Sequence, residues 1–194
     1  MGKVLSHMTM SLDGFIANPD DVPEELFDWY WGGDVTVPSL QEGMTFQVDE
    51  ASAGMLRDLL HGAGVVIAGR RLFDITDGWG DQHPGAPAVV VVTHSPPEDA
   101  ERWPTTTFVD GVEAAVATAK EIAGDRNVTI ASPTIINQAL DLGLVDEVCI
   151  SLVPVLFGEG IRHFSERVQG HLMFEDPVVI QGTRAVHLRY AVRR

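Results

Sequence analysis

Apolar residues along this chain follow two alternating patterns: short apolar runs, and longer stretches spaced three to four residues apart. The short runs predict β-strands, and the three-to-four spacing predicts amphipathic helices. The predicted strands cover residues 4–10, 64–68, 88–92, 107–109, 128–131 and 147–153. The predicted helices cover residues 24–30, 50–61, 72–76, about 110–123, and 133 to Gly143, while residues 18–47 are otherwise irregular. Strands and helices therefore alternate through the first three-quarters of the chain.

The last quarter of the chain has a different pattern. Residues 178–181 and 186–192 predict two strands with no helix between them, and Val186, Leu188, Tyr190 and Val192 alternate on one face. Together with the preceding alternation, this predicts one α/β domain over residues 1–194. We expect a three-layer sandwich whose central sheet is mostly parallel, with antiparallel C-terminal strands.

Three sequence signals mark helix starts. Asp49 can cap the helix over residues 50–61. Asp110, three residues before Glu113, is a variant of the capping box. Ser132 followed by Pro133 combines a cap with a first-turn proline.

Composition and charge narrow the functional classes. The chain has 194 residues, 45% of them apolar, which is enough to bury a core, and its single cysteine, Cys149, excludes a disulfide framework. The net charge of −15 disfavours nucleic acids and anionic membranes as partners. No apolar run has the length of a membrane span, and the N-terminus does not resemble a signal peptide. We expect a cytoplasmic protein.

Candidate ligand loops follow the predicted strands, because open α/β sheets bind ligands beyond the carboxyl ends of their strands. These loops are residues 10–17, 69–71, 93–95, 131–134 and 154–160. With 13 basic residues against 28 acidic ones, the adjacent Arg70 and Arg71 at a strand-to-helix junction are the best local anion site, unless they are simply solvated or salt-bridged. Residues 93–95 offer hydroxyl donors or form an ordinary turn. The sequence contains no G-x-G-x-x-G fingerprint.

Histidine, serine and tryptophan positions give weaker evidence about function. The seven histidines form no helical pair and no H-E-x-x-H motif, so we expect no metal site and expect these side chains to be exposed or hydrogen-bonded. A G-x-S-x-G elbow is absent, which disfavours a hydrolase of the α/β class. The tryptophans lie near predicted loops and either line a pocket or pack; they are Trp29, Trp31, Trp79 and Trp103.

Several motifs, in order, resemble the dihydrofolate-reductase-like family that includes the reductase domain of RibD. They are Ser11-Leu12-Asp13-Gly14-Phe15-Ile16-Ala17, Gly69-Arg70-Arg71-Leu72-Phe73, Gly143-Leu144-Val145-Asp146-Glu147 and Pro154-Val155-Leu156-Phe157-Gly158-Glu159-Gly160. They cover nearly the whole chain, and the Phe15 variant is more similar to the stand-alone members of the family.

The resemblance implies a reductase with NADPH as hydride donor, a small-molecule substrate and a homodimer. The implied cofactor-binding residues are Ser11, Gly14, Ile16, Ala17, Gly69, Arg70, Arg71, Thr93, His94, Ser95, Ala131, Ser132, Pro133, Thr134 and Ile135. Val153, Pro154 and Leu156 are implied on the substrate side or at a dimer contact.

Two departures from the family pattern leave alternatives open. Ala131-Ser132-Pro133 replaces the common Gly-Gly, which leaves open a non-catalytic ligand-binding relative. Ala53 occupies the position of the carboxylate that dihydrofolate reductases use, so a true dihydrofolate reductase is disfavoured. Asp13, Glu50 and bound water are the candidate proton donors. A further alternative is 5-amino-6-(5-phosphoribosylamino)uracil reductase, an enzyme of riboflavin biosynthesis.

Overall fold

The computed structural model describes residues 2–164 and 170–193. Its strands are β1 (Val4–Ser11), β2 (Phe15–Ala17), β3 (Val35–Pro38), β4 (Thr45–Val48), β5 (Ala63–Gly69), β6 (Val89–Val92), β7 (Thr106–Val109), β8 (Asn127–Ile130), β9 (Glu147–Val153), β10 (Ile161–Arg162), β11 (Val178–Gln181) and β12 (Val186–Ala191). Its α-helices are α1 (Glu50–Gly62), α2 (Arg70–Ile75), α3 (Val112–Ala123) and α4 (Pro133–Asp141). Shorter 3₁₀ segments cover Glu24–Trp31, Asp77–Asp81 and Ala100–Arg102.

Eight strands form the central sheet in the order β11-β12-β9-β1-β8-β5-β6-β7. The six strands from β9 to β7 in this order run parallel, whereas β12 is antiparallel to β9 and β11 is antiparallel to β12. This arrangement confirms the predicted α/β class, with a mostly parallel sheet and antiparallel C-terminal strands.

Helices cover both faces of the sheet. Val65 and Ile67 of β5 pack in one core cluster with apolar residues of α3 and α4. Ala68 of the same strand packs on the opposite face with Phe73 of α2. Helix α1 packs in a further cluster with the 3₁₀ segment Glu24–Trp31. The sheet is therefore the middle layer of three.

Two small sheets lie outside the predicted strands. Strands β3 and β4 form an antiparallel hairpin that falls, except for Val48, within residues 18–47, the segment predicted to be irregular, and β2 pairs with β10. Each strand has only two to four residues, too few for a period-two pattern to show. The hairpin is stabilised by tertiary burial, because Val37, Phe46 and Val48 are at most 6% exposed and pack with α1.

The three predicted caps have different outcomes. The Asp49 carboxylate accepts hydrogen bonds from the backbone N–H groups of Ala51 and Ser52, as predicted. The prediction for Asp110 is wrong, because Gly111 is the cap residue of α3 and no side chain caps that helix. Ser132 precedes α4, with Pro133 in its first turn, but its hydroxyl does not cap the helix.

No helix among residues 2–164 and 170–193 has the length and apolar character that a membrane crossing requires.

Candidate active site

The sheet topology places a candidate ligand-binding crevice at the carboxyl end of β8. Strand β8 pairs with β1 only along Val4–Ser6, and β1 then continues to Ser11 beside β9. The chain leaves β8 into α4 on one face of the sheet, whereas α1 and α2 lie on the other face. Ligands of open α/β sheets bind where successive connections diverge in this way. The loops after β1, β8 and β5 therefore border the candidate site.

The loop after β1, residues 11–17, is anchored by Asp13. One carboxylate oxygen of Asp13 accepts hydrogen bonds from the Ser11 hydroxyl at 2.6 Å and the Phe157 amide at 3.1 Å, and the other accepts from the Gly158 amide at 2.7 Å. The bond from Ser11, assisted by the two amides, lowers the pKa of Asp13 to about 2. Asp13 is therefore an ionised anchor that joins this loop to the loop after β9, and it is unsuited to donate a proton.

Further contacts hold loop 11–17 against the chain after β9. The Arg162 guanidinium lies 4.4 Å from the centre of the Phe15 ring and donates to the Asp13 carbonyl at 3.2 Å. The His163 amide donates to the carbonyl of Gly14, whose φ of +91° suits glycine. Ala17 is buried and pairs with Ile161, and the side chain of Ile16 is half-buried. The backbone of this loop is thus held in one place beside the crevice.

The two candidate phosphate-binding arginines lie in the first turn of α2. Arg70 donates from Nε to Asp74 at 2.7 Å and from Nη1 to the carbonyl of Ser95. Arg71 forms an ion pair with Asp21 while its own side chain stays 76% exposed. Arg70 therefore brings together the loops after β5 and β6, two of the loops that the sequence singled out.

Residues 93–95 form an ordinary turn, the second of the two interpretations that their sequence allowed. The Ser95 amide donates to the Thr93 hydroxyl at 3.1 Å. His94 is exposed and contacts Asp110 at 2.6 Å between Nδ1 and Oδ1. This turn still lies beside Arg70, so its hydroxyl groups remain close to the candidate anion site.

The loop after β8 is locked to the loop after β5. The Ser132 hydroxyl, which is buried, accepts a hydrogen bond of 2.8 Å from the Gly69 amide. Ala131 and Pro133 are half-buried, and Thr134 has an exposed side chain. Ile135 is 3% exposed and packs in the core, so only its backbone can meet a ligand.

The structure corrects the prediction for one of the three residues that were implied on the substrate side or at a dimer contact. Val153 is 3% exposed and packs in the core with α1, so its side chain cannot contact a substrate. Pro154 and Leu156 are exposed, Leu156 by 70%. Leu156 borders an open groove of about 370 Å³, lined by Asn18, Pro19, Glu24, Glu25, Val155, Leu156, Phe157 and Glu159. The three glutamates make this groove unfavourable for an anionic group.

Glu50 does not enter the crevice. Its side chain is 82% exposed, at the start of α1, with the nearest oxygen 4.0 Å from Arg57. Ala53, one turn later, is fully buried. The acidic residues proposed from the sequence as proton donors are therefore an ionised anchor, Asp13, and a solvent-exposed side chain, Glu50.

Sequence reasoning missed His7. It is the first residue of β1 beyond the pairing with β8, and its buried Nε2 has no hydrogen-bond partner among the described residues. Burial, with a smaller effect of nearby His187, lowers its pKa to about 4, so the ring is neutral at pH 7. The available signal was the run of alternate polar residues His7, Thr9 and Ser11 on one face of a strand predicted to be buried.

A second histidine also departs from the expectation of exposed or hydrogen-bonded rings. His163 is fully buried, and neither ring nitrogen has a partner within residues 2–164 and 170–193. Burial, with a smaller effect of His7, lowers its pKa to about 4.

A buried polar chain runs from α1 to β9 near His7. The Ser52 hydroxyl donates to the Asp49 carboxylate at 2.6 Å, so its oxygen accepts from Nε2 of His187 at 2.9 Å. Nδ1 of His187 then accepts from the Ser151 hydroxyl at 2.9 Å. This order of donors assigns the Nε2–H tautomer to neutral His187, which ties β12 to α1.

His, Cys, Asp and Glu side chains within the described ranges form no group of three that could hold a metal ion.

Solved structures share this architecture. A putative riboflavin biosynthesis protein from Shewanella sp. PV-4 is 21% identical, with a TM-score of 0.66 and 99% of each chain covered. Dihydrofolate reductase from Enterococcus faecalis, complexed with NADP(H) and RAB-propyl, is 16% identical, with a TM-score of 0.63 over 100% of this chain and 98% of that one. RibD from Acinetobacter baumannii is 16% identical, with a TM-score of 0.61 over 100% of this chain and 58% of that one. At these identities the likeness shows the fold.

A search of the curated proteins gave no match. The profile of the RibD C-terminal domain, in contrast, matches residues 2–177, which is nearly the whole chain and includes every loop at the crevice. The chain belongs to the RibD C-terminal domain family.

Proposed function

We propose that this protein is an NADPH-dependent reductase that transfers hydride to a small heterocyclic or carbonyl-like substrate. The observation that carries the proposal is the pair Arg70 and Arg71 beside the crevice at the carboxyl end of β8. In a chain with a net charge of −15, adjacent cations at a ligand-binding edge favour a phosphorylated ligand. Family membership and the NADP(H) complex of the Enterococcus reductase support the choice of cofactor.

The residues at the crevice fit such a cofactor. Arg70 and Arg71 offer guanidinium groups to phosphates, and the exposed Thr134 offers a hydroxyl at the first turn of α4. Gly69 and Ser132 approach closely at the floor, where a Cβ on Gly69 would lie 3.4 Å from the Ser132 hydroxyl. When bound, the nicotinamide supplies the hydride.

The protein supplies orientation and electrostatics. Loop 11–17, fixed by Asp13, forms one wall and limits access of water. His7 lies on β1 just beyond the pairing with β8, and its Nε2 has no partner among the described residues. A neutral imidazole can donate one hydrogen bond and accept another. In this proposal His7 polarises the electrophilic carbonyl or imine of the substrate, as neutral imidazoles do elsewhere.

Riboflavin biosynthesis supplies a second candidate. The names of the Shewanella and Acinetobacter relatives favour 5-amino-6-(5-phosphoribosylamino)uracil reductase. The substrate of that enzyme carries a phosphate, whereas the groove beside Leu156 is lined by Glu24, Glu25 and Glu159. A comparison of the phosphorylated substrate with its dephosphorylated form separates the two candidates, because the acidic groove favours the uncharged form.

Calorimetric titration with NADPH tests the first proposal. We expect saturable binding, followed by single-turnover oxidation of NADPH when a panel of cyclic imines and carbonyl compounds is added. Binding without turnover on any member of the panel would favour the non-catalytic relative. If binding does not saturate at millimolar NADPH, the proposal that NADPH is the cofactor is wrong.

A further inference from the structure

The ion pair between Arg71 and Asp21 joins two segments that flank the crevice. Arg71 leaves β5 at the start of α2, and Asp21 follows β1 and β2. Strand β8 lies between β1 and β5 in the sheet, so the pair connects the chain on one side of β8 with the chain on the other. The contact therefore involves one of the two cations that the proposed cofactor would need.

Asp21 is held in position by a compact turn, residues 18–22. The Asn18 side-chain oxygen accepts from the amides of Asp20 and Val22, and the Asn18 carbonyl accepts from the Asp21 amide. Asp21 itself has a φ of +65°, a conformation that few residue types adopt readily. The backbone of this turn is thus well defined, and it directs one carboxylate to Arg71.

The two partners differ in exposure. The Asp21 side chain is 16% exposed, whereas the Arg71 side chain is 76% exposed. A ligand phosphate can therefore reach the guanidinium from solvent and compete with Asp21 for it. Exposed ion pairs are weak, and phosphate contacts with arginine are stronger, so displacement of the carboxylate is feasible.

We propose that Asp21 is an internal competitor for Arg71 that sets the affinity for the anionic cofactor. Asp21 neutralises Arg71 in the free protein. A cofactor phosphate takes its place, and binding thereby releases the turn 18–22 from α2. This inference rests on the proposed function, because it takes NADPH to be the anion that binds at Arg71.

Asp21→Asn tests the competition, with Asp20→Asn as the matched control. Both substitutions remove one negative charge from the same turn, but only Asp21 pairs with Arg71. Asparagine tolerates a positive φ better than most residues, so the backbone of the turn is retained. By calorimetry we expect Asp21→Asn to bind NADPH about 1.4-fold to fivefold more tightly than Asp20→Asn, the range that corresponds to an exposed ion pair. Thermal unfolding of each variant checks that the fold is retained.

A double-mutant cycle assigns the effect to Arg71. In an Arg71→Ala background, Asp21→Asn and Asp20→Asn should bind NADPH with the same affinity. The cation for which Asp21 and the phosphate compete is then absent. Where Arg71 is retained, equal affinities of the two single variants, or weaker binding by Asp21→Asn, would overturn the inference while leaving the reductase proposal intact. Absence of NADPH binding by the parent and every variant would overturn both.

Discussion

Charged residues at the crevice are each bound to another part of the protein. Asp13 anchors the loops after β1 and β9, Arg70 joins α2 to the turn at Ser95, and Arg71 contacts Asp21. The same side chains thus position the loops and, in the proposed function, also present charge to a ligand. Substitutions at these residues will affect both roles, so binding and stability have to be measured separately.

Arg70→Ala and Arg71→Ala should each weaken NADPH binding by about tenfold to a hundredfold. A charge-assisted contact contributes about 1.5–3 kcal/mol, which corresponds to that range. One of the two substitutions should weaken NADH binding much less than NADPH binding, because NADH lacks the 2′-phosphate. Calorimetric dissociation constants for both cofactors check this, with Arg57→Ala, on α1, as the control. If both variants bind NADPH like the parent, or the parent prefers NADH, residues 69–71 do not bind phosphate.

At the scale of single elements, the N-terminus of α1 makes hydrogen bonds to segments distant in the sequence. Asp49 caps its first turn and also accepts from the Thr183 amide in the turn between β11 and β12. Ser52, in the same turn of α1, connects through His187 to Ser151 of β9. The N-terminus of α1 is therefore joined to the antiparallel edge of the sheet.

Asp49→Ala should lower the free energy of unfolding by about 1–2 kcal/mol, because it removes a helix cap. Asp110→Ala is the matched control: the sequence predicts a cap at both positions, but the structure has one only at Asp49. Asp110 is exposed, so its removal should change the free energy by less than about 0.5 kcal/mol. Urea unfolding of both variants measures the difference. Equal losses would show that Asp110 does cap α3.

At the scale of the whole molecule, the antiparallel edge is exposed. Strand β11 is the last strand on its side of the sheet, and Val178 and Val179 are 59% and 56% exposed. These neighbouring residues lie on opposite faces of the strand. An apolar edge strand of this kind favours pairing with another strand.

We therefore predict a homodimer that forms through β11. Light scattering at micromolar concentration should give about twice the chain mass of 21.1 kDa. Val179→Lys should shift the protein towards the monomer, since a charge on an edge strand opposes pairing. Leu142→Lys, a substitution of an exposed leucine just after α4, should leave the mass unchanged. A parent mass near 21 kDa would contradict the prediction.

Stability should fall as the pH decreases from about 6.5 towards 4. Burial lowers the pKa of His7 and of His163 to about 4 in the folded protein, from 6.5 in the unfolded chain. Between these values the unfolded chain binds more protons, so the free energy of unfolding rises with pH and is lost on acidification. His163→Leu should reduce this slope in urea unfolding, whereas His94→Leu, at an exposed position, should retain it. An unchanged slope in His163→Leu would show that His163 does not contribute to it.

Local patterns in the sequence determined the elements of the central sheet. Uninterrupted apolar runs, such as residues 88–92, are long enough to identify a buried strand. Asp49 marks the start of its helix by a hydrogen bond to a residue close in sequence. The order of strands and helices then limits the topology to a parallel sheet, which predicts that the loops at Gly69 and Ser132 share one edge. These inferences succeed because they depend on contacts close in sequence or on the general handedness of such folds.

Tertiary structure alone decided the roles of individual polar side chains. Asp110 and Asp49 occupy similar sequence contexts, yet only Asp49 caps, because α3 begins at Gly111. The Ser132 hydroxyl accepts from Gly69, and Asp21 pairs with Arg71, across separations of about 50 residues or more. His7 has no partner in β8 because the pairing of β1 with β8 ends at Ser6. A hydrogen bond or ion pair forms only if two distant segments are positioned to within a few tenths of an ångström. A residue pattern does not contain that information.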